Sequence, residues 1–348
     1  MSTAVSRKRK GKEKEHKVTA ALPLGKQLAH TDKHVRDGAI ANLVAFLSRG
    51  APSDPYEDAN ESSEDGRTGE RSYVPLNVEE MDKLWKGLFY CFWMSDKPLV
   101  QQALARDLAE LVLLIRPEKD EDRFSAAVDF LAGFWRAIVR EWEGIDRLRI
   151  DKFYLLLRRY TIVTFRLLAR EQWSSSSIES VNTLLSKGKG PISYEDKSVA
   201  SSIATHLADV FLDELDQTLS LPEVSSQPPC PLISLLQPHI DLLAHTPTQT
   251  VHTRVMSTLF QPLLDALHAA SPDPEEAERP RKKRKDEPMY AHIIMECSVD
   301  GNNKASSVQL RKALLQALFH AASQEDALDV NRRKIYKVCR EEGGDDED

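Results

Sequence analysis

The sequence predicts an all-α fold, an irregular α-solenoid built as a HEAT-like array of antiparallel helix pairs. Three observations carry that expectation. Apolar residues recur at helical spacing along most of the 348 residues. The breaks between these stretches are short and carry helix caps, glycine and proline. A single stretch, residues 290–299 (YAHIIMECSV), has the composition of a strand, or of an extended segment laid over helices.

Residues 1–20 form a basic tail expected to be disordered, with seven cations against two acids and almost nothing to bury. Its cluster Arg7, Lys8, Arg9 and Lys10 is a candidate nuclear-localisation signal. A helical-repeat domain is expected over residues 21–270. It opens with a short helix near Leu24, then a second capped by Thr31 or Asp32, with Val35, Ala39 and Leu43 inward and Gly50 past its end. His30 and His34 straddle that break with no further ligand nearby, so a metal site is not expected. Residues 52–73 are acidic, lack apolar periodicity, and read as a mobile insertion between helices.

Asn77 and Glu80 make a capping box before Met81, Leu84, Trp85, Leu88, Phe89 and Phe92. Ser95 and Asp96 are expected to cap the next helix, with Pro98 in its first turn and Leu99, Ala103, Leu108, Leu111 and Val112 on its apolar face. Phe124, Val128, Leu131, Trp135, Ile138 and Trp142 keep strict helical spacing. The turn at Gly144 and Ile145 is short enough to pack that helix antiparallel to the next.

The following helix, within residues 146–170, has Phe153, Leu156, Leu157, Tyr160, Thr164, Leu167 and Leu168 on one face. Leu148, Leu155 and Ile162 lie opposite, which predicts burial on two sides. Lys152, Arg159 and Arg166 form a basic edge between these faces. Further helices are expected over residues 178–185, from Val199 to Leu219, from Ile233 to Leu243, and from Val251 to Leu267 with a kink at Pro262. His206 reads as a hydrogen-bonded core histidine, and residues 220–231 as a Pro/Ser linker.

Residues 271–288 are a charged linker whose cluster Arg281, Lys282, Lys283, Arg284 and Lys285 is the stronger nuclear-localisation candidate. Residues 289–340 are expected to be a helical extension packed on the array, and residues 341–348 an acidic tail.

Composition narrows the function classes. Apolar residues make up 41% and charged residues 29%, enough for a sizeable core, and the net charge of −7 disfavours indiscriminate nucleic-acid binding by the whole surface. Four scattered cysteines without a CxxC pair read as reduced intracellular thiols. Neither a signal peptide nor an apolar run long enough for a membrane is read from the chain, so a soluble protein with no membrane partner is expected. No GxSxG, HExxH, GxGxxG or Walker A motif occurs, and KGKGP at residues 187–191 is a turn, not a phosphate loop. A non-enzymatic protein with no cofactor, metal or small-molecule substrate is the expectation.

Three blocks carry a resemblance: LGKQLAHTDKHVRDGAIANLVAFLSRG (24–50), LWKGLFYCFWMSDKP (84–98) and IDRLRIDKFYLLLRRY (145–160), with NRRKIYKV near the C-terminus. The chain resembles the nucleolar ribosomal-RNA-processing protein 1 family from about residue 22 to 338. The resemblance implies a nuclear, mainly nucleolar, assembly factor. Such a factor joins pre-ribosomal particles with other large-subunit assembly factors and is needed for pre-rRNA processing.

Scaffolding through a long helical surface is the mechanism expected. Candidate contacts to a partner protein or to pre-rRNA phosphate are Arg147, Arg149, Lys152, Arg158, Arg159 and Arg166, against the bland reading of a solvated helix face with internal pairs such as Asp151 with Arg147. Charge reversal at Lys152, Arg159 and Arg166 is expected to weaken particle association without unfolding the chain. The alternatives are a generic nuclear helical-repeat adaptor and an RNA-processing enzyme.

Overall fold

The computed structural model describes residues 24–28, 30–50, 73–271 and 289–343. Both basic clusters expected to direct nuclear import, and most of the acidic insertion, lie outside the described residues. Within them the chain is all-α apart from one pair of two-residue parallel strands and two isolated bridges.

α1 (Leu24–Leu28) leads into α2 (Lys33–Arg49), which Asp32 caps by accepting the His34 N–H at 2.9 Å. Gly50 ends α2 with φ at 74° and pairs with Val74 across a parallel bridge. A Cβ there would lie 2.1 Å from the Val74 carbonyl oxygen, so both the dihedral and the approach require glycine. The Asn77–Glu80 capping box opens α3 (Val78–Trp93) as expected.

α4 (Pro98–Leu114) departs from expectation at its start. Lys97 is the N-cap, no side chain caps the helix, and Pro98 supplies the first turn, where its missing N–H is not needed. Ser95 is instead buried, and its carbonyl accepts from Gln101 and Lys152. Leu99 is 80% exposed, because the inward face of α4 begins at Leu104.

α5 (Arg123–Glu141) is followed by a tight turn over Trp142–Gly144, then α6 (Ile150–Arg170), α7 (Ser175–Ser186) and α8 (Ser201–Leu219). The span read as a linker holds α9 (Pro222–Ser225) and β1 (Cys230–Pro231). Next come α10 (Leu232–His245), α11 (Gln249–Val255) and α12 (Gln261–Ala269). A π turn over Met256–Phe260 joins the last two. This wide turn stands where a proline kink was expected, and it lies over the turn that the Pro262 ring would crowd.

The helices alternate between two layers. α1, α3, α5, α7 and α10 pack in succession in one, and α2, α4, α6, α8 and α11 in the other. This is the packing of a helical-repeat array. It also corrects the expected close pairing of α5 with α6: each packs chiefly within its own layer, and the two meet through large side chains. Phe134 stacks on Tyr160 with ring centres 3.5 Å apart, and Trp142 meets Tyr154 edge-on.

The stretch expected as a strand is mostly helix. α13 (Ala291–Glu296) precedes β2 (Cys297–Ser298), which pairs with β1 in the register Cys230 to Cys297. Asp216 on α8 accepts the N–H groups of His292 at 2.8 Å and Ile293 at 2.9 Å. A carboxylate from a distant helix thus satisfies the first-turn donors, and no local pattern reveals such a cap.

α14 (Ser307–Ser323) packs on α10 and α12, and α15 (Asp329–Gly343) on α14 and α10. The NRRKIYKV segment fastens this end. Asn331, fully buried, donates to the carbonyls of Ala244 and Thr246 and accepts from Gln249, while Ile335 enters the core. α15 runs past residue 340 to Gly343, with Glu342 paired to Arg311.

Candidate functional site

α6 crosses its layer between α4 and α8. Its buried arc meets α3 through Phe153 on Phe89 and Phe92, and α8 through Phe165 on Phe211. The opposite apolar line is not a second buried face. Leu148 is 93% exposed, and Leu155 and Ile162 are half-buried, so this line runs along the outer side of the layer.

The six candidate cations separate into distinct roles. Lys152 is buried, not on an exposed edge. Its Nζ donates to the carbonyls of Trp93 at 2.6 Å and Ser95 at 2.8 Å and lies 5.5 Å from the centre of the Phe92 ring. The ammonium therefore closes the C-terminal end of α3, where a helix exposes acceptors and partial negative charge. Burial pushes its pKa down, and Asp96 opposes that shift.

Lys152→Met should cost about 2 kcal/mol, since it strands the Trp93 carbonyl and leaves the Ser95 carbonyl to Gln101 alone. A urea midpoint equal to that of the wild type would refute this role. The expectation that charge reversal at Lys152 spares the fold is corrected by the same contacts.

Arg166 is paired with Glu110 of α4. Arg158 is paired with Glu214 of α8, whose side chain is 1% exposed, and lies 3.9 Å from Asp213. Burial raises the Glu214 pKa, with Arg158 acting against it. Arg149 holds Asp146 and lies 5.2 Å from the centre of the Trp93 ring. Each of these guanidiniums ties neighbouring segments of the array together.

Two cations remain. Arg147 is exposed and, among the described residues, forms no hydrogen bond or ion pair, including with Asp151. Arg159 likewise has no hydrogen bond or ion pair, and its Nε is buried without a partner. It faces a groove of about 340 Å³ formed by α4, α6, α8 and the start of α9. Arg106, Glu110, Ile162, Arg166, Leu221 and Glu223 line it as well. Arg106 and Glu223 come from helices whose facing sides only the fold reveals, so sequence spacing gave no sign of them. A second groove, of about 580 Å³, lies between α2 and α4 over Ile40, Val44 and Leu114 and shares Glu110 with the first.

The other candidates are structural. His206 Nε2 lies 3.1 Å from the Tyr154 carbonyl, and burial lowers its pKa. The His30 ring takes the Asp32 N–H at 3.0 Å. No helix is long and apolar enough to cross a membrane among the described residues.

A family model described as "Nucleolar protein, Nop52" matches residues 19–337. Ribosomal RNA processing protein 1 homolog B of Mus musculus is 30% identical over 299 residues, covering 85% of this chain and 37% of that protein. The human homolog B is 28% identical over 328 residues, 94% of this chain and 37% of that protein. The Drosophila melanogaster homolog is 35% identical over 144 residues, 41% of this chain and 20% of its own length. This chain thus spans well under half the length of these relatives.

Proposed function

This chain belongs to the Nop52 family of nucleolar proteins, and from that premise we propose that it works in the nucleolus in ribosomal RNA processing. The observation that carries the reading is the reach of the family match, which runs from before α1 into α15 and so takes in the whole helical array. The finer reading is a non-enzymatic scaffold of large-subunit precursors. Grooves between successive helices of one layer hold partner proteins, the way helical arrays present long surfaces. Support comes from the two grooves along α2, α4, α6 and α8.

Fractionating cells on a gradient tests this. The tagged chain should travel with precursors of the large subunit, and its depletion should leave their rRNA unprocessed. Sedimentation only as free protein would refute particle membership. Metal-dependent cleavage of pre-rRNA by the pure chain would replace the scaffold with an enzyme.

A further inference from the structure

We propose that the groove around Arg159 is a docking site for an acidic, aliphatic segment of a partner protein, with a carboxylate of that segment seated on the Arg159 guanidinium. The inference deepens the scaffold reading and rests on it for the setting, but not for the chemistry. Arg158 and Arg166, on the same helix, are engaged by Glu214 and Glu110. Arg159 between them makes no hydrogen bond or ion pair of its own; Glu214, already held by Arg158, acts on it only through space, and its shielded Nε has no acceptor. A carboxylate entering the groove cannot reach that shielded Nε and meets the two terminal nitrogens instead, where a planar guanidinium gives it two parallel N–H bonds.

The surroundings define the rest of the ligand. Ile162, Val163, Ala109 and Leu221 give the groove an apolar floor, suited to aliphatic side chains beside the acid. Arg106, 61% exposed and paired only with its neighbour Asp107, stands ready for a second acid. RNA fits poorly. The groove has no aromatic side chain to stack a base, and Glu110 and Glu223 at its walls repel a phosphate chain. Those same carboxylates are tolerable to a peptide, which carries its charges one at a time.

A photo-crosslinking amino acid at Gln217, an exposed groove position, tests the proposal in cells. Crosslinked material is identified by mass spectrometry in gradient fractions, comparing the parent chain with Arg159→Gln and Arg106→Glu. Arg159→Gln removes a charge without placing another acid near the buried Glu214, and thermal melting checks that each variant is folded. The expected adduct is a peptide with Asp or Glu beside aliphatic residues, reduced about tenfold by Arg159→Gln, as loss of a charge-assisted pair requires.

An adduct with RNA, or no adduct from a folded chain, would overturn the proposal. So would a peptide adduct indifferent to Arg159. The same Arg159-dependent peptide found only outside pre-ribosomal fractions would uphold the groove's chemistry and sink the particle reading.

Discussion

Lowering the pH from 7.5 to 4.5 is expected to remove about 5 kcal/mol of stability through two histidines, an amount comparable with the whole net stability of many domains. His239 is 2% exposed, neither ring nitrogen has a hydrogen-bond partner, and its ring meets Phe211 edge-on at 5.1 Å. Burial pushes its pKa down to about 3. His252, also 2% exposed, is pushed down to about 4 by burial, with Lys334 adding to the shift.

Both rings are neutral in the fold, and both take up a proton in the unfolded chain below roughly pH 6.5. Stability is therefore intact above that value. It falls by about 1.4 kcal/mol per pH unit and per histidine below it, until each folded pKa is reached. Asp129, Glu214 and Asp241, whose pKa values burial raises, act in the opposite sense, so variants must isolate the histidines. Urea midpoints at the two pH values should show most of the acid loss gone from His239→Leu/His252→Leu. An equal loss in that variant and the wild type would exclude these histidines as its source.

Trp85→Ala should cost about 4 kcal/mol, the upper range for a core aromatic. The indole of α3 lies 4.7 Å from Phe130 and 5.3 Å from Phe134 of α5, and 5.9 Å from Tyr160 of α6. Its Nε1–H donates to the Phe130 carbonyl at 3.0 Å, and the Tyr160 hydroxyl donates to the Leu108 carbonyl of α4 at 2.9 Å. Four helices from both layers meet at this node, so truncation opens a cavity the backbone cannot close. Gly133 makes a companion test. Alanine at an exposed helical glycine stabilises by roughly 1 kcal/mol. A Cβ at Gly133, however, would come within 2.3 Å of the Trp85 ring. Gly133→Ala is therefore expected to destabilise by about 2 kcal/mol, as overpacking does. Chemical denaturation of both variants decides it, and a neutral Gly133→Ala would mean that the node is loosely packed.

The contrast among the cations of α6 bears on how such arrays recognise partners. A row of lysine and arginine looks like an interaction surface, yet Lys152, Arg149, Arg158 and Arg166 hold the layers and loops in register. Arg159 stands out only because its neighbours are already occupied.

The helices, the Asn77–Glu80 capping box, the stop at Gly50, and the three blocks of family resemblance with the closing NRRKIYKV segment were legible in the chain, because each depends on residues within a few turns of one another. The all-α class follows from such local signals, and the family assignment from the resemblance. Direction was not legible. Periodicity placed Ile162 on an apolar line and Lys152 on a basic edge, but could not say which line faced solvent. α13 depends on Asp216, seventy-odd residues earlier, and the groove at Arg159 on three helices arriving side by side. Whether a side chain is a pillar or a contact depends on the charges and surfaces brought next to it, and only tertiary packing brings them there.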